Sequence, residues 1–162
     1  METQPTEYAG FWLRFVAYFI DGIIISFVEF IMVIPFLGML GYNIALLESL
    51  ESLDSVDMDF SVLIPMVISA MMGLSLSIFL LSWLYYALME SGPRQGTIGK
   101  MALGLTVTDM DGARINFATA SLRYFGKIIS GAILMLGYIM AGLTLKKQAL
   151  HDIIANTLVL RK

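Results

Sequence analysis

FWLRFVAYFIDGIIISFVEFIMVIPFLGML, residues 11–40, is an apolar run that nevertheless carries Arg14, Asp21 and Glu29. A helix that crosses the hydrocarbon core needs roughly 20 apolar residues. Residues 15–40 exceed that length with only Asp21 and Glu29 interrupting them, so the reading expects a membrane span over about 12–40. At about 100° per residue Arg14 and Asp21 are nearly eclipsed, and Glu29 falls within about 80° of Asp21. The three charges share one stripe, and that stripe should face protein or water rather than lipid. Pro35, followed by Gly38 and Gly41, is expected to kink and then end the helix.

The rest of the composition agrees. The 162 residues are 58% hydrophobic and 14% charged, and the mean hydropathy is +0.80, too apolar for a soluble domain of this size. The first helix lacks the pattern of a cleavable signal and is expected to remain as an anchor. Without cysteine, neither disulfides nor thiolate chemistry are available. The expected fold is an all-α integral membrane protein. It has two or three transmembrane helices, a cytoplasmic amphipathic helix and a short β-hairpin-like segment, all in one domain over 1–162.

The segments follow from charge and hydropathy. An acidic extracytoplasmic loop occupies 42–61, with Glu48, Glu51, Asp54, Asp57 and Asp59 and no base. It has at most a short helical turn over 45–53. The second span covers about 62–89, with Pro65 in its first turn. Within it Ser69, Gly73 and Ser77 form a small-residue seam against which the first helix is expected to pack. Residues 90–127 are basic and expected to be cytoplasmic. Here 97–103 reads as a short helix, 105–108 as a strand, 109–112 as a turn, Ile115 as the start of a return strand, and 118–127 as an amphipathic helix along the membrane surface. The third apolar stretch, 128–145, either spans or re-enters. Re-entry is favoured because the tail 146–162 is basic, and because a strand at 157–160 could pair with 105–108 only from the same side.

The ion- or ligand-binding candidates are therefore Arg14, Asp21 and Glu29. A charge at such depth costs at least about 2 to 3 kcal/mol on insertion scales and is seldom left without a use. The structural alternative is that Asp21 only locks helices together through a buried pair. Gly96, Thr97, Gly99 and Lys100 suggest a phosphate loop, but Arg94 stands at its first glycine position and Met101 follows the lysine, so nucleotide hydrolysis is not expected. His151 beside Asp152 reads as an interfacial capping pair. One histidine without cysteine makes no transition-metal site, and no nucleophile and base are arranged for hydrolysis. The expectation is a protein that is not an enzyme, without cofactor, metal or nucleic-acid partner.

The Arg14-x-x-Ala17-x-x-x-Asp21 opening, the Gly96-Thr97-Ile98-Gly99-Lys100-Met101-Ala102-Leu103-Gly104 segment with its continuation to Val107, and the closing Gln148-Ala149-Leu150-His151-Asp152 together resemble the RDD family of bacterial membrane proteins. The resemblance implies a multi-pass protein of the bacterial inner membrane with its N-terminus in the cytoplasm. Arg14 and Asp21 fit the first two family positions, and Asp152 the second aspartate. Asn156 stands where relatives often have glycine, which bears on the local turn. The resemblance further implies transport, with sodium/proton antiport described for some members. Under that reading Asp21 binds a monovalent cation or proton in turn, Arg14 tunes it, and Glu29 relays ions. One copy cannot enclose a path, so a homo-oligomer in membrane lipid is expected. The competing class is a scaffold that binds lipid or a partner and in which Arg14 and Asp21 are structural.

Overall fold

The computed structural model describes residues 7–54, 60–132 and 136–161. The chain is mostly helical, with elements in the order β1 (Glu7–Tyr8), α1 (Phe11–Asp54), α2 (Phe60–Ser91), α3 (Ile98–Ala102), β2 (Leu105–Asp109), α4 (Phe117–Ala132), α5 (Leu136–Leu143), α6 (Leu150–Ile154) and β3 (Thr157–Arg161). It divides into two units: Met1–Ile23 with Ser82–Lys162, and Ile24–Leu81. Two helical stretches, Phe11–Leu46 and Leu63–Ser91, are long and apolar enough to cross a membrane.

In the unit Ile24–Leu81 the outward side chains are large and apolar, among them Phe27, Phe30, Leu37, Met72 and Leu76. Helix α1 runs on to Asp54 and does not end near residue 40. Pro35 lacks only one donor, and the residues beyond Gly41 are rich in Ala, Leu and Glu, which keep the helix going. The acidic stretch is thus helical as far as Asp54, and its residues 55–59 lie outside the described residues. Helix α2 starts at Phe60, so Pro65 sits inside it rather than in its first turn. Among the described residues the expected seam is exposed at Ser69, Gly73 and Ser77. Ser69 and Ser77 donate to Met66 and Gly73 of their own helix at 2.9 Å, and nothing lies within 4 Å of a Cβ built on Gly73.

In the other unit a three-stranded sheet, order β1-β3-β2, joins the N-terminal, middle and C-terminal parts of the chain. β2 and β3 pair antiparallel, with Val107 opposite Val159. The partner of β2 is β3 and not a return strand at Ile115. That segment contributes only the bridge from Arg114 to Thr108, while Ile115 is buried in the core with Leu105, Val107 and Val159.

Helix α4 is patterned inside out. Ala120, Arg123 and Ser130 are buried while Leu122, Phe125, Ile128 and Ile129 are exposed. A helix with its polar face inward and its apolar face outward is built for a lipid boundary. Within 128–145 the described helical residues are the end of α4 and α5, and residues 133–135 between them lie outside the described residues. α4 and α5 fold back on each other: Gly137 packs on Ser130, and the Tyr138 hydroxyl donates to the Lys127 carbonyl at 3.3 Å.

Candidate functional site

Two polar clusters lie in the unit that contains the sheet. The first centres on Asp21, which is only 1% exposed. Its Oδ1 accepts from the Tyr85 hydroxyl at 2.8 Å and from the Gly99 N–H at 2.7 Å, and its Oδ2 accepts from the Thr97 hydroxyl at 2.5 Å. Tyr85 in turn accepts from the Ile98 N–H at 3.2 Å. Thr97 precedes α3, whose first N–H groups have no partner inside the helix, so a carboxylate from α1 caps α3 across space. Gly99 is required by close approach: a Cβ there would run into the Ala17 carbonyl and lie 3.0 Å from Asp21 Cγ. All three donors are neutral, and among the described residues no Lys or Arg pairs with Asp21.

The second cluster is an ion network. The Arg123 side chain, 1% exposed, lies between two acids: its Nε is 3.0 Å from Glu90 Oε2 and its Nη2 is 2.9 Å from Asp152 Oδ1. Those contacts are charge contacts without aligned hydrogen bonds. Arg123 also donates to Thr157 Oγ1 at 2.6 Å. Glu90 Oε1 further takes Lys100 Nζ at 2.6 Å and Lys127 Nζ at 3.1 Å. Asp152 Oδ2 is held by Arg14 and by the Ala149 N–H. Arg14 completes its fork on the carbonyls of Ala9 at 2.9 Å and Lys147 at 2.6 Å. Four cations therefore enclose two acids. The 5-position helices α3 and α6 each deliver one member, Lys100 and Asp152, from a buried face.

Burial lowers the Lys100 ammonium to about 8 even though Glu90 opposes the shift. Burial alone would raise Asp152, but Arg123 and then Arg14 hold it well below the usual carboxylate range. His151 is pushed down to about 3 by burial, with the nearby cations adding to the effect against Asp152. It is neutral at physiological pH, with Nδ1 3.4 Å from Ser130 Oγ and its ring 5.2 Å from that of Tyr138.

The structure separates residues that the sequence placed on one stripe. Arg14 goes to Asp152 and Asp21 to the Thr97–Gly99 turn, so Arg14 does not hold the Asp21 carboxylate. Glu29 lies in the other unit, partly buried. The Gly96-to-Gly104 segment binds no phosphate loop geometry but an acid: Thr97 and Gly99 hold Asp21, Lys100 holds Glu90, and Gly104, at φ 67, ends α3. Asn156 takes φ 49 at the corresponding turn after α6, a left-handed conformation that asparagine tolerates. Sequence reasoning missed Tyr85, Glu90, Arg123 and Lys127 as site residues. The signal is present in 117–132, where Arg123 and Lys127 lie about 40° apart on one face of the helix, but an amphipathic helix along a membrane surface takes such a face as its water side.

The RDD family matches residues 8–156. The chain is similar to the uncharacterized protein YxaI of Bacillus subtilis (strain 168), 36% identical over 154 residues covering 95% of this chain and 97% of the relative. It is also similar to the uncharacterized membrane protein YteJ of the same organism, 29% identical over 163 residues, covering 99% and 85%. No solved structure matches.

Proposed function

The chain belongs to the RDD family, and on that premise we propose that it is a multi-pass membrane transporter that passes a monovalent cation or a proton through the Asp21 carboxylate. One observation carries this reading: Asp21 is buried at 1% exposure and held by neutral donors only. A buried carboxylate without a counter-charge is costly, and a bound proton or cation removes that cost. The hydroxyls of Thr97 and Tyr85 can turn their lone pairs toward a cation, while the Gly99 N–H keeps the carboxylate in place. Exchange of sodium for a proton is the finer form of the proposal.

The sidedness rests on the sheet. Strands that share hydrogen bonds lie on one side of a bilayer, so β1, β2 and β3 support two crossings with both chain ends together. Nine of the ten Lys and Arg stand at or after Arg94, which supports a cytoplasmic position for that side in a bacterial inner membrane. Two crossings do not enclose a path, so the transporter is a homo-oligomer, and the open Ser69, Gly73 and Ser77 seam suits a second copy.

Purified protein in vesicles holding a pH-sensitive dye, given a sodium gradient, tests the proposal. Wild type is expected to move protons and Asp21→Asn to leave the dye unchanged; identical traces end it. A second reading is a scaffold that binds anionic lipid headgroups. It is favoured by the excess of cations in the network, where Arg14, Lys100, Arg123 and Lys127 face only Glu90 and Asp152. Under that reading binding to anionic vesicles depends on Lys100 and Lys127, and sodium gradients do nothing.

A further inference from the structure

We infer that the second half of the chain is a shortened copy of the first, fused to it around a pseudo-twofold axis, and that the copy has lost its acid site. The backbone carries the inference. Of the five described residues with positive φ, four form two pairs at one constant offset: Gln95 with Lys147 (φ 52 and 47) and Gly104 with Asn156 (φ 67 and 49). Everything between them repeats. Thr97 and Ala149 precede the short helices with φ/ψ of −69/168 and −78/166, and Leu103 and Ala155 follow them with −102/10 and −95/4. In both helices the second and third residues are buried, Gly99 and Lys100 in one, His151 and Asp152 in the other.

The turns before and after these helices are also the same. Gln95 N–H donates to Gly92 at 3.1 Å and Lys147 N–H to Thr144 at 3.0 Å, while Gly104 donates to Met101 at 3.1 Å and Asn156 to Ile153 at 3.2 Å. At the same offset α2 and α5 end together, at Ser91 and Leu143. β2 and β3 pair about Val107 and Val159, so that each end of one strand faces the opposite end of the other. An antiparallel pair centred on matched residues is what a twofold axis produces.

The first helices match as well. LRFVAYFIDG, residues 13–22, aligns with LRYFGKIISG, residues 122–131. Ala17 lies close against Gly99 as Gly126 lies close against His151: a Cβ built on Gly99 would meet the Ala17 carbonyl, and one built on Gly126 would lie 3.0 Å from His151 Cβ and 3.1 Å from its Cα. Arg14 and Arg123 become counterparts, and each reaches an acid of the other copy, Asp152 and Glu90. Arg14–Asp152, Arg123–Glu90 and Lys127–Glu90 thus join the two copies, while Lys100–Glu90 and Arg123–Asp152 each lie within one. Residues 24–81 have no counterpart in the second copy.

The positions that build the Asp21 site recur, emptied. Asp21, Tyr85, Thr97 and Gly99 correspond to Ser130, Gly137, Ala149 and His151. Gly137 packs directly on Ser130, and Ser130 lies 3.4 Å from His151. The acid, its phenol and its hydroxyl donor are all gone. Internal repeats are a recurrent way to build membrane proteins, and here only one repeat keeps a carboxylate at the position of Asp21, with Ser130 at its counterpart.

Reciprocal grafts test the duplication without reference to transport. One variant gives the second copy the residues of the first (Lys147→Gln, Ile153→Met, Ile154→Ala, Asn156→Gly), and the other does the reverse (Gln95→Lys, Met101→Ile, Ala102→Ile, Gly104→Asn). Both are expected to stay monodisperse in detergent and to melt within a few degrees of wild type. Gly104→Val and Asn156→Val are expected to lower melting by similar amounts. Unfolding of either graft, or a penalty at only one of the two valine positions, overturns the equivalence. In the vesicle assay Ser130→Ala is expected to keep wild-type flux, and loss of flux in it overturns the claim that the second site is dismantled. If wild type itself carries no flux, the transport reading fails and the grafts still decide the duplication.

Discussion

Asp21 and Asp152 are two fully buried carboxylates in one folding unit, and their surroundings are opposite. Asp152 lies among arginines, with Arg14 on one oxygen and Arg123 on the other. Asp21 receives three hydrogen bonds and, among the described residues, no cation. The first arrangement fixes its acid in one charge state and ties α1, α4 and α6 together. The second holds its acid by neutral hydrogen-bond donors alone, and under the proposed function that is where a proton or cation exchanges. In the network the positive charges outnumber the negative ones, whereas around Asp21 the hydrogen-bond donors are neutral, and that contrast is why the proposal rests on Asp21.

Breaking the network should have the largest effect. Asp152→Asn takes the acid from Arg14 and leaves Arg123 with Glu90 alone, and removal of one partner of a buried ion pair costs about 3 to 5 kcal/mol. Thermal unfolding in detergent should drop steeply, and little folded protein should be recovered.

Acid comes next. His151 is neutral when folded, with its pKa lowered from 6.5 to about 3, so the unfolded chain takes up a proton that the folded chain refuses. Stability from this group is present above about pH 6.5 and is lost as pH falls toward 3. Between pH 7 and 4.5 the loss should be about 2 to 3 kcal/mol. Asp152 adds its own loss only as pH falls below its ordinary 3.8. Melting curves of His151→Gln should be flatter than wild type over that window.

Asp21→Asn should cost less, about 1 to 2 kcal/mol, because the amide keeps one acceptor oxygen for Tyr85 and Gly99. It should be folded and inactive, which separates the two regions. The smallest effect belongs to Thr97→Ala, which removes one donor at 2.5 Å and should cost about 1 kcal/mol. It should weaken sodium-driven flux partially, and Thr97→Ser should restore it.

Much of this was legible in the sequence because hydropathy and charge act locally. The two long apolar helices, the short helix before Leu105 and the pairing of 105–108 with 157–160 follow from runs, turns and alternation. Arg14, Asp21 and Asp152 stood out as charges or motif residues. What was not legible is how those charges divide between partners. Spacing along α1 places Arg14 and Asp21 on one stripe, but α3 and α6 claim one each, and that choice is tertiary. In helix α4 the usual rule that the polar face meets water does not hold: Arg123 turns in toward Glu90 and Asp152, Lys127 toward Glu90, and Leu122, Phe125, Ile128 and Ile129 face out. Pro35 did not end α1 because the residues after it favour helix strongly enough to continue.

The most direct test of the central claim is the sodium dependence of the melting temperature, measured side by side for wild type and Asp21→Asn at constant ionic strength with choline as the replacement cation. A ligand that binds only the folded state raises its melting point. Wild type should melt higher as sodium rises, and Asp21→Asn should not respond. An equal rise in both proteins, or none in wild type, would contradict a cation site at Asp21.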